Sequence, residues 1–176
     1  EYFAGYMLAA VLWSLGTVMV ILTSAGLTQR IWLAVSQAGV ILMPVAWIIF
    51  ALKYTGRVRS LSPHVWAVLL VIPGAHLLKW ILVDTFRLIP PYQILDTFQW
   101  FVAMYGFMLL IVGALLMTQS MLKAPMYRRQ YVYVMVGALS PWAFAFIEIV
   151  GLNPFPEFSF LPLAFAVGSL LSAWGI

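Results

Sequence analysis

Six apolar stretches, each of about twenty residues, the length a helix needs to cross ~30 Å of hydrocarbon, succeed one another along this chain. No other feature constrains the fold as strongly. In a bilayer every backbone N–H and C=O must find its partner inside the protein, which leaves helices and closed barrels as the spanning structures. The stretches lack the period-two alternation of barrel strands, so the spans are helical. Composition agrees: 65% of the 176 residues are hydrophobic and 8% charged, against roughly 25% charged in a soluble domain. The expected fold is an all-α integral membrane protein, a polytopic helical bundle.

The same composition excludes several kinds of function. There is no cysteine, hence no disulfide, no thiol nucleophile and no thiolate metal site. The two histidines, His64 and His76, lack the spacing of a helical zinc motif, so neither a metal nor any other cofactor is expected. A net charge of +4 does not indicate nucleic acid binding, because the basic residues are confined to short joints between apolar spans, where they anchor helix ends at lipid headgroups. The first apolar run has neither a basic leader nor a small-residue cleavage site, and is not read as a signal peptide.

The spans are placed at residues 3–24, 31–54, 64–83, 98–122, 127–150 and 159–176. Turn chemistry separates them: SAGLTQ, TGRVRSLSP, LIPPYQ, KAPM and GLNPFPEF. Short joints predict antiparallel neighbours. Lys53, Arg57 and Arg59 lie at and just after the end of the second span and Lys123, Arg128 and Arg129 around the joint after the fourth. The positive-inside rule makes that side cytoplasmic, with Asp84, Asp96 and Glu157 outside, in the cytoplasmic membrane of the cell. On this reading the first span starts inside and the last ends inside. The last span stops in SLLSAWGI without a charged stop and the first begins within three residues of the start. A preceding helix and a cytoplasmic continuation are therefore expected.

Three stretches carry a resemblance. They are RIWLAVSQAGVILMPVAWIIFALKYTGR (Arg30 to Arg57), YRRQYVYVMVGALSPWAFAFIEIVGL (Tyr127 to Leu152) and FLPLAFAVGSLLSAWGI (Phe160 to Ile176). With the Gly39 to Trp47 core, the FALKYTGR exit, the RRQ entry and the LPLAFA start of the last span, the whole chain resembles the N-terminal seven-helix sensor region of membrane histidine kinases. The resemblance implies helices two to seven of a seven-helix, GPCR-like topology. It also implies an input module for a cytoplasmic kinase domain, working as a homodimer. The phosphoacceptor histidine and the catalytic domain would follow this segment, and neither His64 nor His76 has a kinase-type context.

Ionisable groups within a span are costly and mark functional or packing positions. His76 and Lys79 lie one turn apart, and Glu148 sits near the outer end of the fifth span. In the same outer half fall Gln37, Trp100, Tyr105 and Trp142. Polar groups on an aromatic wall are the usual form of a small-molecule site, and these seven residues are the candidate ligand-binding set. For Lys79 the alternative is snorkelling to the surface, for Glu148 the interface, and for the tryptophans an interfacial belt. Pro44, Pro73 and Pro141 fall inside spans and are expected to kink them. Gly16, Gly39, Gly106, Gly113, Gly137 and Gly168 are expected to let helices approach closely. Lys53, Tyr54, Arg57, Arg128 and Arg129 are the cytoplasmic interface anchors, with Gly56 just past a helix end.

The reading from these residues is a receptor region that binds a small molecule from its outer half. A transporter or channel is the alternative, disfavoured because the spans show no inverted repeat and no series of carboxylates. A retinal protein needs a lysine in its last span, and this one has none. An intramembrane enzyme needs a nucleophile and base, paired aspartates or a metal set, and offers isolated candidates such as His76 with Ser36 at best.

Overall fold

The computed structural model of the chain describes residues 2–58, 61–86, 93–123, 125–149, 151–152 and 161–175. Six helices order it: α1 (Tyr2–Leu22), α2 (Leu27–Tyr54), α3 (Pro63–Lys79), α4 (Gln93–Lys123), α5 (Arg128–Ile149) and α6 (Leu161–Gly175). Helix α3 runs on as a π-helical turn, Trp80–Thr85, and a 3₁₀ turn, Pro125–Tyr127, precedes α5. Five of the helices are long and apolar enough to cross a membrane, and α6 is apolar over its 15 described residues. Among the described residues there is no strand. The fold class is the expected polytopic helical bundle.

The helix limits depart from the sequence expectation where polar residues sit at headgroup depth. Helix α2 begins at Leu27 rather than at residue 31, because Thr28, Gln29 and Arg30 continue the helix beyond the apolar run. Helix α4 likewise begins at Gln93 rather than 98. Hydropathy locates the lipid-crossing part of a helix, whereas backbone hydrogen bonding sets its length. The LIPPYQ joint lies almost entirely outside the described residues, as do residues 153–160, where the last span was expected to start.

Contacts divide the chain into two compact units, residues 1–113 and 114–176. In the first, α1 and α2 form a tight antiparallel hairpin whose seam is made of small residues. A Cβ at Gly16 would come within 2.5 Å of the Ser36 nitrogen, and one at Gly39 would lie 2.6 Å from the Ala9 oxygen and 2.7 Å from Trp13 Cα. Backbone thus meets backbone, which brings Ser36 Oγ within 3.1 Å of Thr17 Oγ1 and 3.4 Å of the Trp13 carbonyl. Such close approach is how helices gain attraction where lipid removes the usual hydrophobic drive.

Helix α4 packs on α2 by the same device at larger scale. The Pro44 ring lies against Gly106, and the indole of Trp47, fully buried, fits over Gly113 and donates from Nε1 to the Leu110 carbonyl at 3.2 Å. Around Trp47 the ends of α1 and α2 gather an aromatic cluster: Phe3 and Phe50 at 5.4 Å, Tyr6 and Trp47 at 6.2 Å, Phe50 and Tyr54 at 5.2 Å.

Helix α2 then stops by rule. Gly56 adopts φ 67°, its N–H donates to the Lys53 carbonyl, and that of Arg57 donates to the Leu52 carbonyl, the paired bonds of a Schellman ending. Helix α3 starts on Ser62, whose hydroxyl accepts from the Val65 N–H, with Pro63 in the first turn.

In the second unit α5 and α6 repeat the small-residue seam. A Cβ on Gly137 would strike the Gly168 carbonyl and Ser172 Oγ, and one on Gly168 would strike the Gly137 carbonyl. Thr118, on the part of α4 that belongs to this unit, lies 3.9 Å from the Met135 sulfur. All six glycines expected to permit close packing lie in such contacts.

Candidate functional site

The chemistry of the first unit is concentrated at one end, where α3 gives way to the π-turn. An α-helix places residues five apart about 140° from one another around the axis. The wider π-turn, closed by the Phe86 N–H on the Ile81 carbonyl, brings Lys79 and Asp84 to one side, and their charged atoms stand 3.6 Å apart. The sequence alternative for Lys79 was snorkelling to the surface. It pairs instead with an aspartate five residues on, a spacing that ordinary helical periodicity does not flag.

Around this ion pair lie polar atoms sealed from their surroundings. His76 is 2% exposed and Thr85 3%. Nδ1 of His76, Nε1 of Trp80 and Oγ1 of Thr85 have no hydrogen-bond partner among the described residues. Asp84 Oδ2 has only the 3.6 Å contact to Lys79, longer than a charge-assisted hydrogen bond of ~2.8 Å. Polar atoms buried without a partner are costly, which marks this cluster among the described residues as a functional candidate.

Neighbouring elements hold the cluster in place. The His76 ring lies against Phe98 of α4, centroids 6.0 Å apart and planes at 29°. Two turns further down, Tyr105 of α4 donates its hydroxyl to the Leu69 carbonyl at 3.0 Å. That carbonyl lies four residues before Pro73, which has no N–H to offer it. The proline therefore frees an acceptor that a neighbouring helix uses. From α2, Arg30 reaches over and donates Nη1 to the Thr85 carbonyl at 3.3 Å, closing the π-turn from outside. The Lys79 ammonium also stands 5.8 Å from the centroid of the Trp80 ring.

The candidate residues are distributed as follows. His76, Lys79 and Tyr105 belong to the α3–α4 contact just described. Gln37 is half-buried in the middle of α2, and Trp100 is 68% exposed on α4, outside the cluster. Trp142 is half-buried in the second unit, and Glu148 lies there on α5 with a side chain outside the described set. Pro44, Pro73 and Pro141 are each almost wholly buried inside unbroken helices, Pro44 with its flank filled by α4. Lys53 places its ammonium 4.8 Å over the Tyr2 ring beside Tyr54; Arg57, Arg128 and Arg129 are exposed. Sequence reasoning passed over Arg30, Trp80, Asp84, Thr85 and Phe98. The available signal was Asp84 following Lys79 so closely at a span end, but a loop carboxylate gives no reason to expect the π-turn that pairs them.

The fold is that of a multi-pass membrane protein built for helix packing, with one polar end. The chain belongs to the N-terminal 7TM regions of histidine kinases, whose family model matches residues 1–176. Neither the curated proteins nor the solved structures contain a match. It is thus part of a membrane sensory region, lies in a lipid bilayer and is not itself the catalytic part of a kinase.

Proposed function

We propose that this region is the receptor of a sensor histidine kinase: it binds a small molecule at the π-turn end of α3 and passes that event to a cytoplasmic kinase domain within a homodimer. The observation that carries the reading is the group of His76, Trp80 and Thr85, whose buried polar atoms have no partner among the described residues, beside the long Lys79–Asp84 ion pair. A packing role alone gives no return for that cost, whereas a site that must change partners needs such groups. The distribution of Lys and Arg supports a reading with the basic joints inside and the Asp84 end outside.

Signalling requires two arrangements that the ligand binds unequally, and the response follows the difference in affinity. Perturbing the cluster by 1–2 kcal/mol shifts such an equilibrium about five- to thirtyfold even without ligand. The test is autophosphorylation of the full-length parent kinase in native membranes. His76→Leu and Asp84→Asn are expected to move basal output several-fold. Val68→Ala, at a site 69% exposed on α3, should leave it unchanged. Unchanged output in both cluster variants, at normal protein level and fold, would refute the receptor reading.

A further inference from the structure

The side chains at the π-turn end of α3 are unequal in kind. Lys79 and Arg30 are permanent donors, the Trp80 indole donates only, and His76 and Thr85 can each donate. Against them, among the described residues, stands one carboxylate, Asp84. The cluster is short of anionic acceptors, and the one it has is poorly seated, at 3.6 Å and five residues along the same chain. The two partners also differ in access, the Lys79 side chain being 9% exposed and that of Asp84 32%. Asp84 is therefore the half of the pair that can leave, and Lys79 the half that would stay buried and require another anion. Beside the ammonium, Trp80 and the His76–Phe98 pair offer aromatic surface for an apolar tail.

We propose that the end of α3 receives the acidic group of an amphipathic ligand, a carboxylate or phosphate, on Lys79, and that Asp84 is the internal anion which this group displaces. The proposal rests on the receptor reading and names its ligand class. Displacement has a mechanical consequence. The Lys79–Asp84 pair depends on the π-turn, so releasing Asp84 removes a reason for the turn to stay π-helical. Return to α geometry would rotate Asp84 and Thr85 about the axis and withdraw the Thr85 carbonyl from Arg30 of α2. Binding at α3 would thereby reach α2, whose other end carries Lys53, Tyr54 and the basic joint.

The experiment uses the purified chain in phosphatidylcholine nanodiscs, with decanoate, decanol and decylamine as probes of equal chain length. Hydrogen exchange of the backbone over residues 76–86 is the readout. Decanoate is expected to change exchange there, and the neutral and cationic analogues to leave it as it was. In a second arm phosphatidylglycerol replaces about a third of the lipid, which gives the bilayer an anionic surface. The same change without decanoate assigns the site to a lipid headgroup; a change with decanoate alone assigns it to a soluble acid.

Lys79→Met should abolish the response. Asp84→Asn, which removes the competing anion, should bind decanoate tighter by up to about fivefold, the equivalent of one released partly exposed ion pair. Equal responses to all three probes would overturn the proposal using wild-type protein only. So would an Asp84→Asn variant, folded by circular dichroism, that loses binding as Lys79→Met does. If the acid fails to bind while the cluster variants still shift kinase output, the ligand class falls and the receptor reading stands.

Discussion

Replacing Gly39 by alanine tests how the first unit is held together. The added Cβ would lie on the Trp13 nitrogen, 2.6 Å from the Ala9 oxygen and 2.7 Å from Trp13 Cα, where ordinary contact begins at 3.4 Å. All three atoms are backbone, so no side chain can swing aside, and α1 must move away from α2 by about 1 Å. A gap of that size forfeits up to roughly half of the dispersion attraction of every contact along the seam. It also stretches the Ser36 bonds to Thr17 and Trp13, now 3.1 and 3.4 Å, beyond useful length. Overpacking costs about 1–3 kcal/mol and two interhelical hydrogen bonds about 0.6 kcal/mol each; the better helix propensity of alanine returns up to ~1 kcal/mol. The expected loss is about 2–3 kcal/mol. Unfolding in mixed dodecylmaltoside–SDS micelles, followed by circular dichroism, measures it. Gly5→Ala and Gly74→Ala are the controls, since a Cβ at either meets nothing within 4 Å. If Gly39→Ala unfolds at the same SDS fraction as Gly74→Ala, the α1–α2 hairpin is not held by backbone contact and the reasoning fails.

Two further outcomes follow from the same packing. Gly113→Ala drives a methyl into the Trp47 indole and should destabilise by about 1–3 kcal/mol in the same micelle titration, while Trp47→Phe alone should cost about 1–3 kcal/mol, for its bond to Leu110 and for the space the smaller ring leaves. In combination, Trp47→Phe should recover part of the Gly113→Ala loss, because the smaller ring vacates the collision. In the second unit, Gly137→Ala and Gly168→Ala each force the same α5–α6 contact apart. Their combined loss should fall short of additive by 0.5 kcal/mol or more, roughly the coupling seen for residues in contact; strict additivity would show that the seam opens at two independent places.

Lipid explains why so much of this architecture was legible. A bilayer accepts few backbone solutions, so hydropathy alone located the helices, and Gly16, Gly39, Gly137 and Gly168 marked the seams because no larger residue lets backbones touch, while Gly113 marked the place where the Trp47 indole lies on α4. Gly56 marked the end of α2 for an equally local reason, the φ of 67° that its turn demands. Helix limits were less legible, since Thr28 and Gln93 extend helices past their apolar runs by hydrogen bonding that hydropathy does not register.

The chemistry of the α3 end depended on the tertiary structure. His76 and Lys79 could be singled out from sequence because an ionisable group within a span is conspicuous. Their surroundings could not, since Asp84 reaches Lys79 through a π-turn, Arg30 reaches Thr85 across 55 positions of chain, and Phe98 meets His76 from another helix. Sequence by itself determined that this chain crosses a membrane as packed helices, because length and hydropathy are local properties that lipid reads directly. Which polar groups share one end of the bundle was decided by a change of helical pitch and by contacts between helices, neither of which is written in the spacing of any one segment.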